Sequence, residues 1–401
     1  MRIELEMTIR FGAGGNSLSH LGGGWARAEQ DFVWAIGDES HLILPSAKPG
    51  VDYILSLDVI PFIHGPALAT QRLSVSVNDD ILGTALLSRP TRLAYHLPAR
   101  SLARADKLLV TLTHPDAARP VSLGVSGDTR DLAVAVSALT LYRSVPPDAA
   151  APRSLPAGLM LDARERRPNG SPANDLADWV RDRTGLTLAE LVIEFESLGE
   201  NCEFGLAQRR ADAEPLGLLR FASIFQRNLI DGLEQRFDGL GAAEDVDPRL
   251  EGEGRREFMI YERKYGLVYH TFVFEGDRDL WLLREQETAR LTFLRRKLME
   301  DLEGGEKIFV YKRNTPVSVE EVLPIVVAVN QYGRNTLLWV VPAEPGRASG
   351  TVEVAGPGLL KGYIDRFAPD ENALDLSFEG WMELCANAFV LARLRKGMGP
   401  G

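Results

Sequence analysis

The run Ser197-Leu198-Gly199-Glu200-Asn201-Cys202-Glu203-Phe204-Gly205 holds the residues best suited to covalent chemistry. An apolar strand is expected over 191–196, then a short Gly-containing turn, then a helix over 202–210. Cys202 falls at the head of that helix and past the carboxyl end of the strand, where open α/β sheets bind ligands. Free backbone N–H groups and the helix dipole favour a thiolate there, so the thiol is expected below its ordinary pKa. The same N–H groups suit a developing oxyanion. The competing reading is a buried cysteine that packs as a small hydrophobe.

A thiol nucleophile needs a base, and neutral imidazole is the common one. Of the six histidines, His20, His41, His64, His96 and His114 lie in the first 144 residues. His270 is the one that follows, in the apolar and aromatic run Tyr265-Gly266-Leu267-Val268-Tyr269-His270. It reads either as the base or as a core histidine satisfied by backbone. A third group would orient the imidazole. Asn314, just past the strand Lys307-Ile308-Phe309-Val310-Tyr311, is the first choice, with Asp277 and Asp279 as rivals. Asn201, Glu203 and Arg313 are candidates for the oxyanion or the substrate. Taken singly, Asn314 reads as a turn residue and Arg313 as a surface charge.

The elements that must position these residues fall into three stretches. Residues 1–144 read as an all-β sandwich. Apolar runs at 53–59, 73–77 and 107–112 are separated by turn signals, and Leu73-Ser74-Val75-Ser76-Val77 alternates as a half-buried strand should. Val77-Asn78-Asp79-Asp80-Ile81 is a turn between two such runs. Residues 145–184, rich in Pro at 146–152 and polar from Arg164 to Asn174, read as a linker. Residues 185–401 alternate strand and helix, which predicts an α/β sheet covered by helices. Ser318 with Glu321 three residues on is a capping-box signature, and Phe378 to Arg395 closes the chain as an amphipathic helix.

With these residues set out, the segment Ser197-Leu198-Gly199-x-Asn201-Cys202 resembles a bacterial family of unknown function labelled papain-like cysteine peptidases. Segments at 214–221, 265–270 and 308–313 continue the resemblance in order, over roughly 190–340. It implies Cys202 as nucleophile and His270 as base. The family's Asp-Trp is missing from Pro215-Leu216-Gly217-Leu218-Leu219-Arg220-Phe221, which leaves the substrate class open. A papain-like fold also puts the histidine on an antiparallel barrel, whereas the alternation here favours a layered α/β sheet. Gly24-Trp25-Ala26-Arg27-Ala28-Glu29, Phe32-Val33-Trp34-Ala35-Ile36-Gly37 and the run 122–130 resemble a sandwich module found beside glycosyltransferases and surface-polysaccharide proteins. That implies a carbohydrate-binding role for Trp25 and Trp34, whose rings would stack on sugar. The alternative is that both indoles are core.

Composition bounds the partners. The chain has 401 residues, 25% of them charged, and a net charge of −11, which argues against nucleic acid. Two cysteines allow neither a disulfide framework nor a Cys-based zinc site. The glycines at 12–15 and 22–24 lack the strand–helix setting of a dinucleotide site. No cofactor, metal or membrane span is expected, and the early acids of the N-terminus do not read as a secretory signal, so the chain is expected to be cytoplasmic. Two functions stand. One is a cysteine-dependent hydrolase or acyltransferase acting on a glycan- or peptide-linked substrate. The other is a non-catalytic polysaccharide-binding or interaction protein.

Overall fold

The computed structural model describes residues 2–48, 50–102, 107–145, 155–162 and 174–397. Contacts group the chain into two compact units, Met1–Pro146 with Ser318–Val327, and Pro147–Val317 with Ala328–Gly401.

The first unit carries β1 (Arg2–Arg10), β2 (Val33–Ile36), β3 (Glu39–Pro45), β4 (Tyr53–Pro61), β5 (Gln71–Val77), β6 (Asp80–Leu87), β7 (Thr91–Leu97), β8 (Lys107–Thr113) and β9 (Leu132–Val145), with one four-residue helix, α1 (Ala99–Leu102). One antiparallel sheet runs β1-β9-β4-β7, with β2 also on β9; the other runs β3-β8-β5-β6. The period-2 pattern is what makes these strands. In β5, Leu73, Val75 and Val77 turn inward and Arg72 is exposed. Both sheets feed one core, with Leu42, Val75, Leu108 and Val110 from one and Leu55, Val59, Leu93 and Val136 from the other. The β5–β6 turn puts Asn78 at φ 49° and Asp79 at φ 71°, the left-handed region these residue types tolerate best after glycine. The expected sandwich is present.

The second unit carries β10 (Met160–Leu161), α2 (Asn174–Thr184), α3 (Leu188–Ile193), β11 (Phe195–Ser197), α4 (Glu203–Arg210), β12 (Ala222–Ser223), α5 (Gln226–Glu234), β13 (Val246–Glu251), β14 (Glu257–Glu262), β15 (Leu267–Phe274), α6 (Leu280–Gly304), β16 (Ile308–Lys312), β17 (Thr336–Pro342), β18 (Val352–Gly356), β19 (Leu359–Ile364) and α8 (Phe378–Arg395); α7 (Val319–Asn330) follows β16 in the chain, and its residues up to Val327 group with the first unit. The main sheet runs β10-β18-β19-β17-β16-β11. Its β11, β16, β17 and β19 are parallel, and β18 and β10 are antiparallel additions. Ile308, Val310, Leu338 and Val340 point from this sheet into a core shared with Phe204 of α4 and Trp381, Leu384 and Cys385 of α8. A second, four-stranded antiparallel sheet runs β12-β15-β14-β13.

Three expectations change. Residues 188–193 are helix, not strand, and only Phe195–Ser197 pairs with β16. Leu191 and Val192 are the buried residues of α3, whereas Ile193 is exposed, and apolarity alone does not separate a buried helix from a buried strand. The expected linker holds β10 and α2, and Leu176, Trp179 and Val180 of α2 pack into the core of the second unit. Most of its Pro-rich and polar stretches, 146–154 and 163–173, lie outside the described residues. The region 185–401 also has a separate antiparallel sheet beside the expected α/β sheet.

Candidate functional site

The loop 198–202 is pinned to the carboxyl end of β16. Leu198 N–H donates to Val310 O at 2.8 Å and Glu200 N–H to Lys312 O at 3.2 Å. Asn201 Oδ1 accepts the Glu203 N–H at 3.1 Å. Cys202 is the N-cap residue of α4 and is half-buried. Glu203, the first residue of the helix, is 0% exposed.

Glu203 is buried because it has a buried cation. Lys312, 1% exposed, donates to Glu203 Oε2 at 2.5 Å and to Asn314 Oδ1 at 2.7 Å. Trp381 Nε1–H donates to Glu203 Oε1 at 3.0 Å. Asn314 in turn donates to Asp370 and, at 3.3 Å, to Ala368 O. A buried ion pair survives only when its remaining hydrogen-bonding capacity is met in this way. Burial pushes the Cys202 thiol up and the Lys312 ammonium down. Lys312 pulls the thiol back down, and the Glu203 carboxylate opposes it more weakly.

The thiol thus stands above its ordinary value, where a value below it was expected. Helix position favours the thiolate, but desolvation outweighs that at this depth. Cys385 is 0% exposed and its thiol is pushed far up by burial alone, as an inert core thiol should be.

His270 is carried by the four-stranded antiparallel sheet. It lies on β15 opposite Met259 of β14, in the antiparallel sheet. Its side chain is 56% exposed, Nδ1 is 3.1 Å from Glu257 Oε2, and the ring stacks on Phe272 at 5.8 Å. No described hydrogen bond links it to Cys202, and it is not among the charges acting on the thiol. Arg313 is committed to its own turn, with Nη2 donating to Pro316 O at 2.7 Å. Asp279 caps α6 through the Trp281 and Leu282 N–H groups, and Asp277 accepts the Phe274 N–H at 3.1 Å. Cys202, Glu203 and Asn314 are therefore drawn together, with Asn201 beside them. The centre of the group is Lys312, which the sequence reading did not single out. Trp381 and Asp370 also went unnoticed.

In the sandwich, Trp25 and Trp34 part company. Trp25 packs on Phe11 at 5.5 Å at the rim of the core, and its indole N–H is spent on His41 O at 2.8 Å. Trp34 lies between the inward-facing Val33 and Ala35, so its ring projects from the outer face of the sheet. It meets Phe32 at 5.6 Å and Phe62 at 6.2 Å, both edge to face. All three rings are half-buried. Arg130 joins Glu29, in the same hairpin as Phe32, to Asp128.

No protein-family model matches the chain, and no curated protein does. Solved structures similar to it include the C-terminal CBM6 of a marine laminarinase from Zobellia galactanivorans, at 13% identity, covering 34% of this chain and 97% of that one, with a TM-score of 0.21. The CBM22-1 xylan-binding domain from Paenibacillus barcinonensis matches at 12% identity over 36% and 97%, with a TM-score of 0.25. The mosquito-larvicidal Cry4Aa toxin of Bacillus thuringiensis matches at 9% identity over 32% and 22%, with a TM-score of 0.22. Scores this low carry no argument about ligand. No helix among the described residues is long and apolar enough to cross a membrane.

Proposed function

We propose that the chain is a carbohydrate-binding protein whose sandwich meets sugar rings at Phe32, Trp34 and Phe62. The observation that supports this is the aromatic group itself. Three half-buried rings stand edge to face on the outer side of a sheet whose core is already complete without them. Aromatic faces offer the apolar side of a pyranose its best contact, and Glu29, Arg130 and Asp128 supply polar groups for hydroxyls near by. Trp25 is left out of this site because its N–H is internally bonded. The hydrolase or acyltransferase reading has less support, since no described hydrogen bond joins the His270 imidazole to Cys202 and burial holds the thiol above its ordinary value.

The test is a glycan array with the full chain, followed by calorimetry on any retained glycan. Trp34→Ala is expected to weaken binding at least about tenfold, the equivalent of roughly 1.4 kcal/mol. Its melting temperature should stay near that of the parent, because Trp34 is outside the sandwich core. Binding untouched by Trp34→Ala, or no glycan retained by the parent, would return the three rings to a packing role.

A further inference from the structure

We propose that the second unit binds an apolar amino acid, free or as a dipeptide, in a cavity where the starts of α2, α3 and α8 meet the end of α4, with the ligand carboxylate on Arg210 and its ammonium on Asp212. The cavity has a volume of about 700 Å³, within the roughly 300–1,000 Å³ that small-molecule sites occupy. Leu176, Leu188, Leu376 and Phe378 give it an apolar wall. Its polar groups divide into those already committed and those not. Thr187 Oγ1 accepts the Glu190 N–H at 3.2 Å and donates to the Glu190 carboxylate at 2.9 Å. The Ser377 hydroxyl donates to Asp365, which also accepts from the Ser349 hydroxyl at 3.3 Å. Glu379 stands in the first turn of α8, where the helix field favours an acid. Arg210 and Asp212 differ from these. Arg210 lies over the Phe378 ring at 4.9 Å and makes no hydrogen bond or ion pair among the described residues. Contact through the face of a guanidinium leaves the N–H donors in its plane open to a bidentate carboxylate. The Asp212 carboxylate also has no partner among the described residues, and it does not pair with Arg210 two positions before it. Its backbone, at φ 59°, is set by the turn that ends α4, with Asp212 N–H donating to Arg209 O at 3.1 Å. Asp365 and Glu379 add negative charge to the same rim, which favours an ammonium and opposes a bare carboxylate. An amino acid with an apolar side chain is the smallest ligand that meets the cation, the anion and the wall together.

The probes are leucine and the dipeptide Leu-Leu, titrated against the full chain by ligand-observed NMR, with glycine, N-acetyl-leucine and leucinamide as controls. Leucine should bind at least about tenfold more tightly than glycine, because its side chain leaves water for the apolar wall. N-acetyl-leucine lacks the ammonium and leucinamide lacks the carboxylate, and each should bind at least about tenfold more weakly than leucine. Arg210→Met keeps an apolar stem on Phe378 and removes the donors. Asp212→Asn removes the charge with a residue type that tolerates the left-handed region. Both positions are exposed, so the melting temperatures should stay near that of the parent. Each variant should lose one discrimination. Arg210→Met should bind leucine no better than leucinamide, and Asp212→Asn should bind leucine no better than N-acetyl-leucine. Leu-Leu bound more tightly than leucine would identify peptide ends as the ligand, and Leu-Leu bound more weakly would identify the free amino acid. No saturable binding of either probe up to about 10 mM, N-acetyl-leucine or leucinamide bound as tightly as leucine, or binding untouched by both substitutions would overturn the proposal.

Discussion

Glu196, one residue before the motif, is a second buried acid, and no described ion pair gives it the cation that Glu203 has. Its side chain is 3% exposed, its Oε1 has no hydrogen-bond partner, and a Cβ on Gly217 would lie 2.5 Å from that oxygen. Burial pushes the carboxyl from 4.5 up to about 8, with Lys297, Lys307 and Arg220 easing the shift and Asp301 adding to it. The native state therefore holds a neutral acid that the unfolded chain ionises above 4.5. Its contribution to stability is complete below that pH and is lost as pH rises towards about 8. Glu196→Gln should flatten the fall in stability across this window. Urea unfolding midpoints for both proteins at the two ends of the window check it, and parallel slopes would show that Glu196 ionises freely in the native state. At this scale the sequence was legible in part. Cys202 at a helix start followed from Gly199 and the turn around it, and the burial of Cys385 fits its place in the amphipathic helix 378–395. The partnership of Lys312, Glu203 and Trp381 did not, because charged residue types give no sign of burial and their pairing spans 178 positions between Glu203 and Trp381.

Among the elements, α3 shows how a visible signal was outweighed. Thr187 accepts the Glu190 N–H, and Glu190 accepts the Thr187 N–H in return, a complete capping box. Its Thr-x-x-Glu spacing stands in the sequence just before Leu191-Val192-Ile193, yet the β-branched run reads as a strand. The cap supplies what a helix of six residues lacks in length. Thr187→Ala should therefore cost about 1 kcal/mol. Thermal or urea unfolding of the full chain measures it, and a loss below about 0.3 kcal/mol would mean that packing of Leu191 and Val192, not the cap, holds the helix. The strands of the sandwich were easier to read because alternation is a local property, as β5 shows. Strand partnership is not local. The strand carrying His270 was found in the sequence, but its pairing with β14 and β12 instead of the parallel sheet depended on contacts no periodicity records.

At the scale of the whole molecule, charge decides which glycans suit the proposed site. The chain carries −11 at neutral pH, with 56 acidic residues against 45 basic ones. A polyanionic glycan would approach against this field, whereas a neutral one would not feel it, and salt screens such repulsion over a length of about 10 Å at 0.1 M. Stacking on Phe32, Trp34 and Phe62 needs no ligand charge, because it draws on apolar contact and ring quadrupoles. The sandwich should therefore favour neutral polysaccharides, with an affinity that shifts less than about twofold between low salt and 0.5 M, while binding to uronic-acid polymers should strengthen as salt screens the repulsion. Calorimetry at the two ionic strengths, with one neutral and one acidic polysaccharide, separates the cases. Tight binding of the acidic polymer at low salt that weakens as salt is added would place the contact on a basic surface and not on the aromatic group.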